Sequence, residues 1–197
     1  MCRPMIRVVK LGGSLLDWPP FPATLRQWLA GQPPACNILV AGGGALADAI
    51  RRADHEFVIG EELSHWLCID ALPITARIVA ALMPDFLLVS SYADLNSKIT
   101  IKHSGDIVFD PREFLAEHES RLPGRPLPHD WTVTSDSIAA RIAECLPADE
   151  LVLLKSVDRP SGSLIDLAAE GYVDRYLPTA AANLPTPRFV NLRATAY

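Results

Sequence analysis

Residues 8–14 read Val-Val-Lys-Leu-Gly-Gly-Ser, and residues 38–44 read Ile-Leu-Val-Ala-Gly-Gly-Gly. Each is a short apolar run that ends in glycines where a buried strand would hand over to a helix. α/β proteins bind phosphates at such junctions, because the first-turn N–H groups point at the anion. Lys10 adds a fixed cation beside the first turn. The pair predicts an enzyme that handles two phosphate-like groups on one sheet edge and moves one of them.

Working outward, strands are expected over residues 5–11, 37–41, 85–90, 150–154 and 188–192, where the chain is continuously apolar. Helices are expected over 23–30, 45–53 and 61–82, with Pro73 a candidate kink, and over 138–146 behind the N-cap signal Thr134-Ser135-Asp136. A short helix is expected over 161–169. Two alternating runs over 98–109, around His103–Gly105, read as a hairpin or edge pair. The proline-rich stretches 121–130 and 177–187 read as connections. Helices alternating with buried strands predict an α/β fold, a three-layer αβα sandwich with a mostly parallel sheet, in a single domain over residues 1–197. In such sheets ligands sit at the carboxyl ends of the strands.

Composition narrows the function. The chain has 197 residues and a formal charge of −5, which argues against a general nucleic-acid binder. Its four cysteines show no CxxC spacing and read as reduced thiols of a cytoplasmic protein. The apolar run 74–83 contains Arg77 and is too short to span a bilayer, so no membrane partner is expected.

Three segments carry candidate chemistry. Gly12 and Gly13 allow an anion to approach the backbone, and Lys10 would neutralise a transferring phosphoryl group. No Walker A loop is present. Gly42-Gly43-Gly44 forms a second turn; Gly42-x-Gly44-x-x-Ala47 also fits a dinucleotide fingerprint, with Glu61 or Glu62 as its acidic partner. That alternative, an NAD(P)-dependent oxidoreductase, leaves Lys10–Ser14 unexplained. Asp136 places a carboxylate near the sheet edge, where it could orient lysines. Arg51 on the helix after the triple glycine is a candidate clamp for a substrate anion, and His65 lies where an acceptor phosphate would approach.

Together, KLGGS at 10–14, AGGG at 41–44, TSDSIAA at 134–140 and LVLLKSVD at 151–158 resemble the amino acid kinase family, over most of the chain. Within it, Ser64-His-Trp-Leu67 and Leu153-Leu-Lys-Ser156 are similar to a small branch of methanofuran-type cofactor biosynthesis, which phosphorylates an aminomethylfuran-methyl phosphate to the diphosphate. The resemblance implies a phosphotransferase using ATP and Mg²⁺, with no metal site built by the protein and a homo-oligomeric assembly. It implies Lys10, Asp136 and Lys155 as the catalytic set. It implies Gly12, Gly13, Ser14, Ser156 and Asp158 at the ATP phosphates, and Gly42, Gly43, Gly44, Arg51, His65 and Thr134 around the acceptor. One departure stands out. Many members carry a lysine that contacts ATP after the strand ending at Lys155; here Ser156–Gly162 is followed by none, so Lys155 or Arg159 would have to supply the charge. Failing that, the chain would be a non-catalytic nucleotide- or oxyanion-binding protein on the same fold.

Overall fold

A computed structural model describes residues 5–100 and 105–195. Six parallel strands form one sheet in the order β3-β4-β2-β1-β5-β6. They are β1 (Ile6–Leu11), β2 (Cys36–Ala41), β3 (Leu87–Val89), β4 (Ile107–Phe109), β5 (Glu150–Lys155) and β6 (Arg188–Asn191). Every residue of β1 and β2 is buried, as a parallel sheet covered on both faces requires.

Among the described residues, seven α-helices cover the sheet: α1 (Phe21–Ala30), α2 (Gly44–Phe57), α3 (Glu61–Leu82), α4 (Tyr92–Thr100), α5 (Ser135–Cys145), α6 (Leu164–Ala169) and α7 (Leu177–Ala180). Strand alternation divides the core. Ile6, Val8, Leu151 and Leu153 face Ile138, Ala139 and Ile142 of α5; Val9, Leu11, Val152 and Leu154 face Phe21, Leu25 and Trp28 of α1. The same period of two sends Lys10 and Lys155 to the α5 side, at the carboxyl ends of neighbouring strands.

The hairpin expected over 98–109 is not there. Residues 92–100 form α4, residues 101–104 lie outside the described residues, and β4 inserts parallel between β2 and β3. The apolar run Ile107–Phe109 reads together with the preceding residues as one alternating pair, whereas the equally short β3 stands alone in its run. Pro73 lies inside α3 without dividing it. At 22 residues and a mean hydropathy of 1.4, α3 is long and apolar enough to cross a membrane. Its inner face instead packs on the sheet through Ile69, Leu72, Ala76 and Val79. The outer face carries exposed Leu63, Leu67, Ile74, Ile78 and Leu82. Helix α2 has no fully buried residue. It rides on α3 and roofs the space above the glycines.

The 121–130 loop is ordered by Arg141. This buried guanidinium donates to the carbonyls of Glu119, Leu122 and Pro123 and to the Glu119 carboxylate at 2.7 Å. Such satisfaction of a buried charge from all sides is what makes its burial tolerable.

Candidate active site

The two glycine turns touch each other. A Cβ built on Gly13 would lie 2.5 Å from both Cα and N of Gly44, and Gly44 itself has φ +54°. Only glycine at both positions lets the turns close. Two of the expected phosphate donors are already engaged: Gly12 N–H donates to Leu154 O and Gly42 N–H to Leu11 O, both at 2.9 Å, extending the sheet. Leu15 N–H is likewise taken, by Gly12 O at 2.9 Å, and Ala47 N–H by Gly43 O at 3.4 Å, whereas the amides ahead of Ala47 at the start of α2 have no intrahelical partner.

These turns floor a cavity of about 230 Å³. Gly13, Ser14 and Gly42–Gly44 form its base, Asp48 and Arg51 of α2 one side, His65, Cys68 and Ile69 of α3 another, and Trp131, Val133, Thr134 and Ser135 the far wall. The acceptor-side residues expected from the sequence are therefore gathered in one place. Arg51 is ion-paired with Asp48 at 2.8 Å, and its guanidinium lies 5.2 Å above Trp131. Trp131 Nε1–H donates to Asp54 at 2.7 Å, and Gly60 N–H donates to the other Asp54 oxygen; these bonds, Gly60 first, hold the carboxyl below its usual range. His65 is buried against His129, their rings stacked at 5.4 Å. Burial lowers its pKa, against a contact of its Nδ1 with Asp130 O. A neutral imidazole is the form favoured there.

Beside the cavity, Asp136 follows directly on Ser135. Its carboxylate lies 2.9 Å from Lys10 Nζ through one oxygen and 2.7 Å from Lys155 Nζ through the other. All three are largely withdrawn from water, Lys155 the least. Burial alone would raise the Asp136 carboxyl, but the Lys10 and Lys155 charges outweigh it and hold the group below its ordinary value. Burial, then the Lys10 charge, depresses the Lys155 ammonium against the pull of Asp136. Within the triad two cations share one anion, in a setting of low dielectric.

On the outer side, Ser14 Oγ and Ser156 Oγ are 2.8 Å apart. Asp158 is exposed and accepts from Asn191 at 2.9 Å. Arg159 does not reach this edge: it donates to Gly162 O and lies 5.5 Å over Phe189. A different cation does. Arg193 donates to Ser14 O at 3.0 Å. Its distance in sequence from Ser14 gave no signal; it arrives because β6 pairs with β5.

The helix signal at Thr134 holds only in part. Thr134 occupies the N-cap position of α5, but its side chain makes no cap bond to the helix. Asp174 does the capping from outside, accepting from the N–H groups of Thr134 and Ser137, each at 2.9 Å. The dinucleotide alternative does not fit. Gly13 fills the space against Gly44, and Glu61 and Glu62 open α3 instead of ending a strand.

Residues 5–159 match the amino acid kinase family. The chain belongs to that family. As an amino acid kinase family member it is a phosphotransferase. It is 25% identical over 169 residues to the [5-(aminomethyl)furan-3-yl]methyl phosphate kinase of Methanocaldococcus jannaschii, covering 82% of this chain and 73% of that protein. Among solved structures it resembles UMP kinase from Bacillus anthracis, with a TM-score of 0.67 at 14% identity over 97% of this chain and 88% of that one. The uridylate kinase of Archaeoglobus fulgidus gives 0.55 at 20% identity, covering 81% and 69%. At those identities the structural likeness speaks for the family's αβα fold.

Proposed function

We propose that this family member transfers the γ-phosphoryl group of ATP to a small phosphate monoester, giving a diphosphate, and that an aminomethylfuran-methyl phosphate is the acceptor. The observation that carries the reading is the Lys10–Asp136–Lys155 triad beside the glycine-floored cavity. Phosphoryl transfer asks mainly for positioning and charge stabilisation, and two ammonium groups held on one carboxylate supply both. Asp136 is the orienting group. Ser14, Ser156, Asp158 and the Gly13 amide border the ATP phosphates, and Arg193 takes the place of the missing lysine. Gly43, Gly44, Arg51, His65 and Thr134 hold the acceptor. A cavity of this volume suits one small ring with its phosphate.

ATP supplies the transferred group. The positive edge formed by Lys10, Lys155 and Arg193 fits a polyphosphate. Asp136 is saturated by its two lysines, so Mg²⁺ is held by nucleotide oxygens and water instead of by this carboxylate. The exposed apolar face of α3 supports a homo-oligomer in which a second copy covers it. The free thiols Cys36, Cys68 and Cys145 agree with a cytoplasmic setting.

A coupled ADP-release assay over furan phosphates, nucleoside monophosphates and acyl amino acids tests the reading. Turnover on a furan-methyl phosphate supports it. ATP binding by calorimetry with no turnover on any acceptor would transfer the site to the non-catalytic reading.

A further inference from the structure

We infer that Asp174 is a positioning residue for phosphoryl transfer, acting through Asp136 and Lys155. It lies on the segment between α6 and α7, 38 residues beyond Asp136 in sequence. Its two oxygens accept five hydrogen bonds. One takes Thr134 N–H, Thr134 Oγ1–H and Ser137 N–H, all at 2.9 Å. The other takes Ser137 Oγ–H and, at 2.9 Å, Leu177 N–H. Burial, then the Asp136 charge, push the Asp174 carboxyl above its usual range, while the Ser137 and Thr134 donors pull it back; five donors and no acceptor complement the ionised form, which only accepts.

The donors bracket Asp136. Thr134 and Ser137 lie on either side of it, so Asp174 fixes the turn of backbone from which the Asp136 side chain leaves. The same segment holds the other half of the pair. Tyr172 O accepts from Lys155 Nζ at 2.9 Å, and the Tyr172 ring lies 5.2 Å from that ammonium. One short stretch, 172–174, thus aims both the carboxylate and the lysine that reads it. A helix cap needs one acceptor and no second function. Here the cap comes from a distant segment, carries a charge into a buried site, and is joined to a second hold on Lys155.

The charge has its own effect. The groups facing the Lys155 ammonium are Lys10 from β1, Asp136 from α5, and Asp174 with the Tyr172 carbonyl and ring from the 172–174 segment. Both carboxylates favour the protonated lysine; burial and Lys10 oppose it. Removing the Asp174 charge lets the opposing influences gain, so Lys155 loses its proton at a lower pH.

The test is Asp174→Asn, which keeps size and one acceptor. It rests on the proposed role of Lys155, and its readouts separate the two ideas. The expected result is a kcat about 10- to 100-fold lower, with KM for ATP and acceptor within about twofold. The basic limb of the kcat–pH profile moves down by roughly half a unit or more. Carbon-13 Cε titration of Lys155 by NMR shows the same downward shift without turnover. If the Lys155 titration moves while neither enzyme form turns over any acceptor, the kinase reading fails and the coupling stands. An unchanged Lys155 titration, or a loss of kcat with the basic limb in place, overturns the inference. Should Asp174→Asn fail to fold, Ser137→Ala removes one donor and leaves the charge. A kcat lowered several-fold with the limb unmoved supports the inference, and an unchanged kcat refutes it.

Discussion

Gly13 and Gly44 are in backbone contact: the Cβ that alanine would place on Gly13 falls 2.5 Å from Gly44 Cα. No flexible side chain stands at that point to give way. Gly13→Ala is therefore expected to destabilise the fold by about 2–3 kcal/mol, an overpacking cost, lowering Tm by roughly 4–12 °C. Gly31→Ala is the control, since its Cβ would meet only ordinary contacts at 3.5 Å or more. Thermal melts of both variants check the difference; equal Tm values would show that the turns can separate.

Lys10→Ala removes one of two cations and leaves Asp136 still paired with Lys155. Turnover should fall ~10²-fold or more while the fold survives. Asp136→Asn does the reverse damage. It leaves two buried ammonium groups facing each other, a loss of about 3–5 kcal/mol by analogy with other broken buried pairs. Urea denaturation of the two variants should rank them in that order, with activity lost in both.

The depressed carboxyl of Asp136 gives a sign to acid stability. Its folded pKa lies below the unfolded value of about 3.9, so its contribution is fully present above that value. The contribution disappears as pH falls through the lower, folded pKa. Wild type should hold a stability advantage over Asp136→Asn at pH 6 that narrows below about pH 4. A gap that stays constant down to pH 2 would contradict the assignment.

Arg193 is expected to act on nucleotide alone. Arg193→Ala removes the guanidinium at Ser14 O; Arg193 does not line the cavity that Arg51 and His65 line. KM for ATP should rise about 10-fold, the loss of one charge-assisted contact, with KM for the acceptor unchanged. His65→Ala should give the opposite pattern. A shared rise in both constants would merge the two halves of the site.

The exposed stripe on α3 predicts an assembly. Ile74→Glu places a charge at its centre, on a side chain already 50% exposed in the single chain. Sedimentation should show a smaller species than wild type, with the secondary structure intact. Wild type running as a monomer would leave the stripe without this role.

Much of the site was legible because its signals are local. Lys10, the glycine turns and the Thr134–Asp136 helix start are each contained in a few residues. Lys155 closes a strand that could be read from its apolar run. What stayed hidden is carried by long-range pairing. Asp174 belongs to no recognisable motif, and Arg193 gains its place only through β6. The hairpin expected around residue 103 failed for a local reason. Helix α4, ahead of β4, contains a single buried residue, Leu95, so its helical period is faint and its residues join the run that ends in β4.

The sheet order has a consequence for biosynthesis. Lys10 leaves the ribosome on β1, but the partner that flanks it, β5, is made only after β2, β3 and β4. Until then β1 has one open edge, and the Lys10 ammonium has no Asp136 to meet. The nascent protein must carry this unfinished edge until β5 emerges, a stage at which parallel sheets are exposed to misassociation. The proposed site is complete only when β5 has sealed the middle of the sheet, the 172–174 segment has closed over it and β6 has brought Arg193 to Ser14.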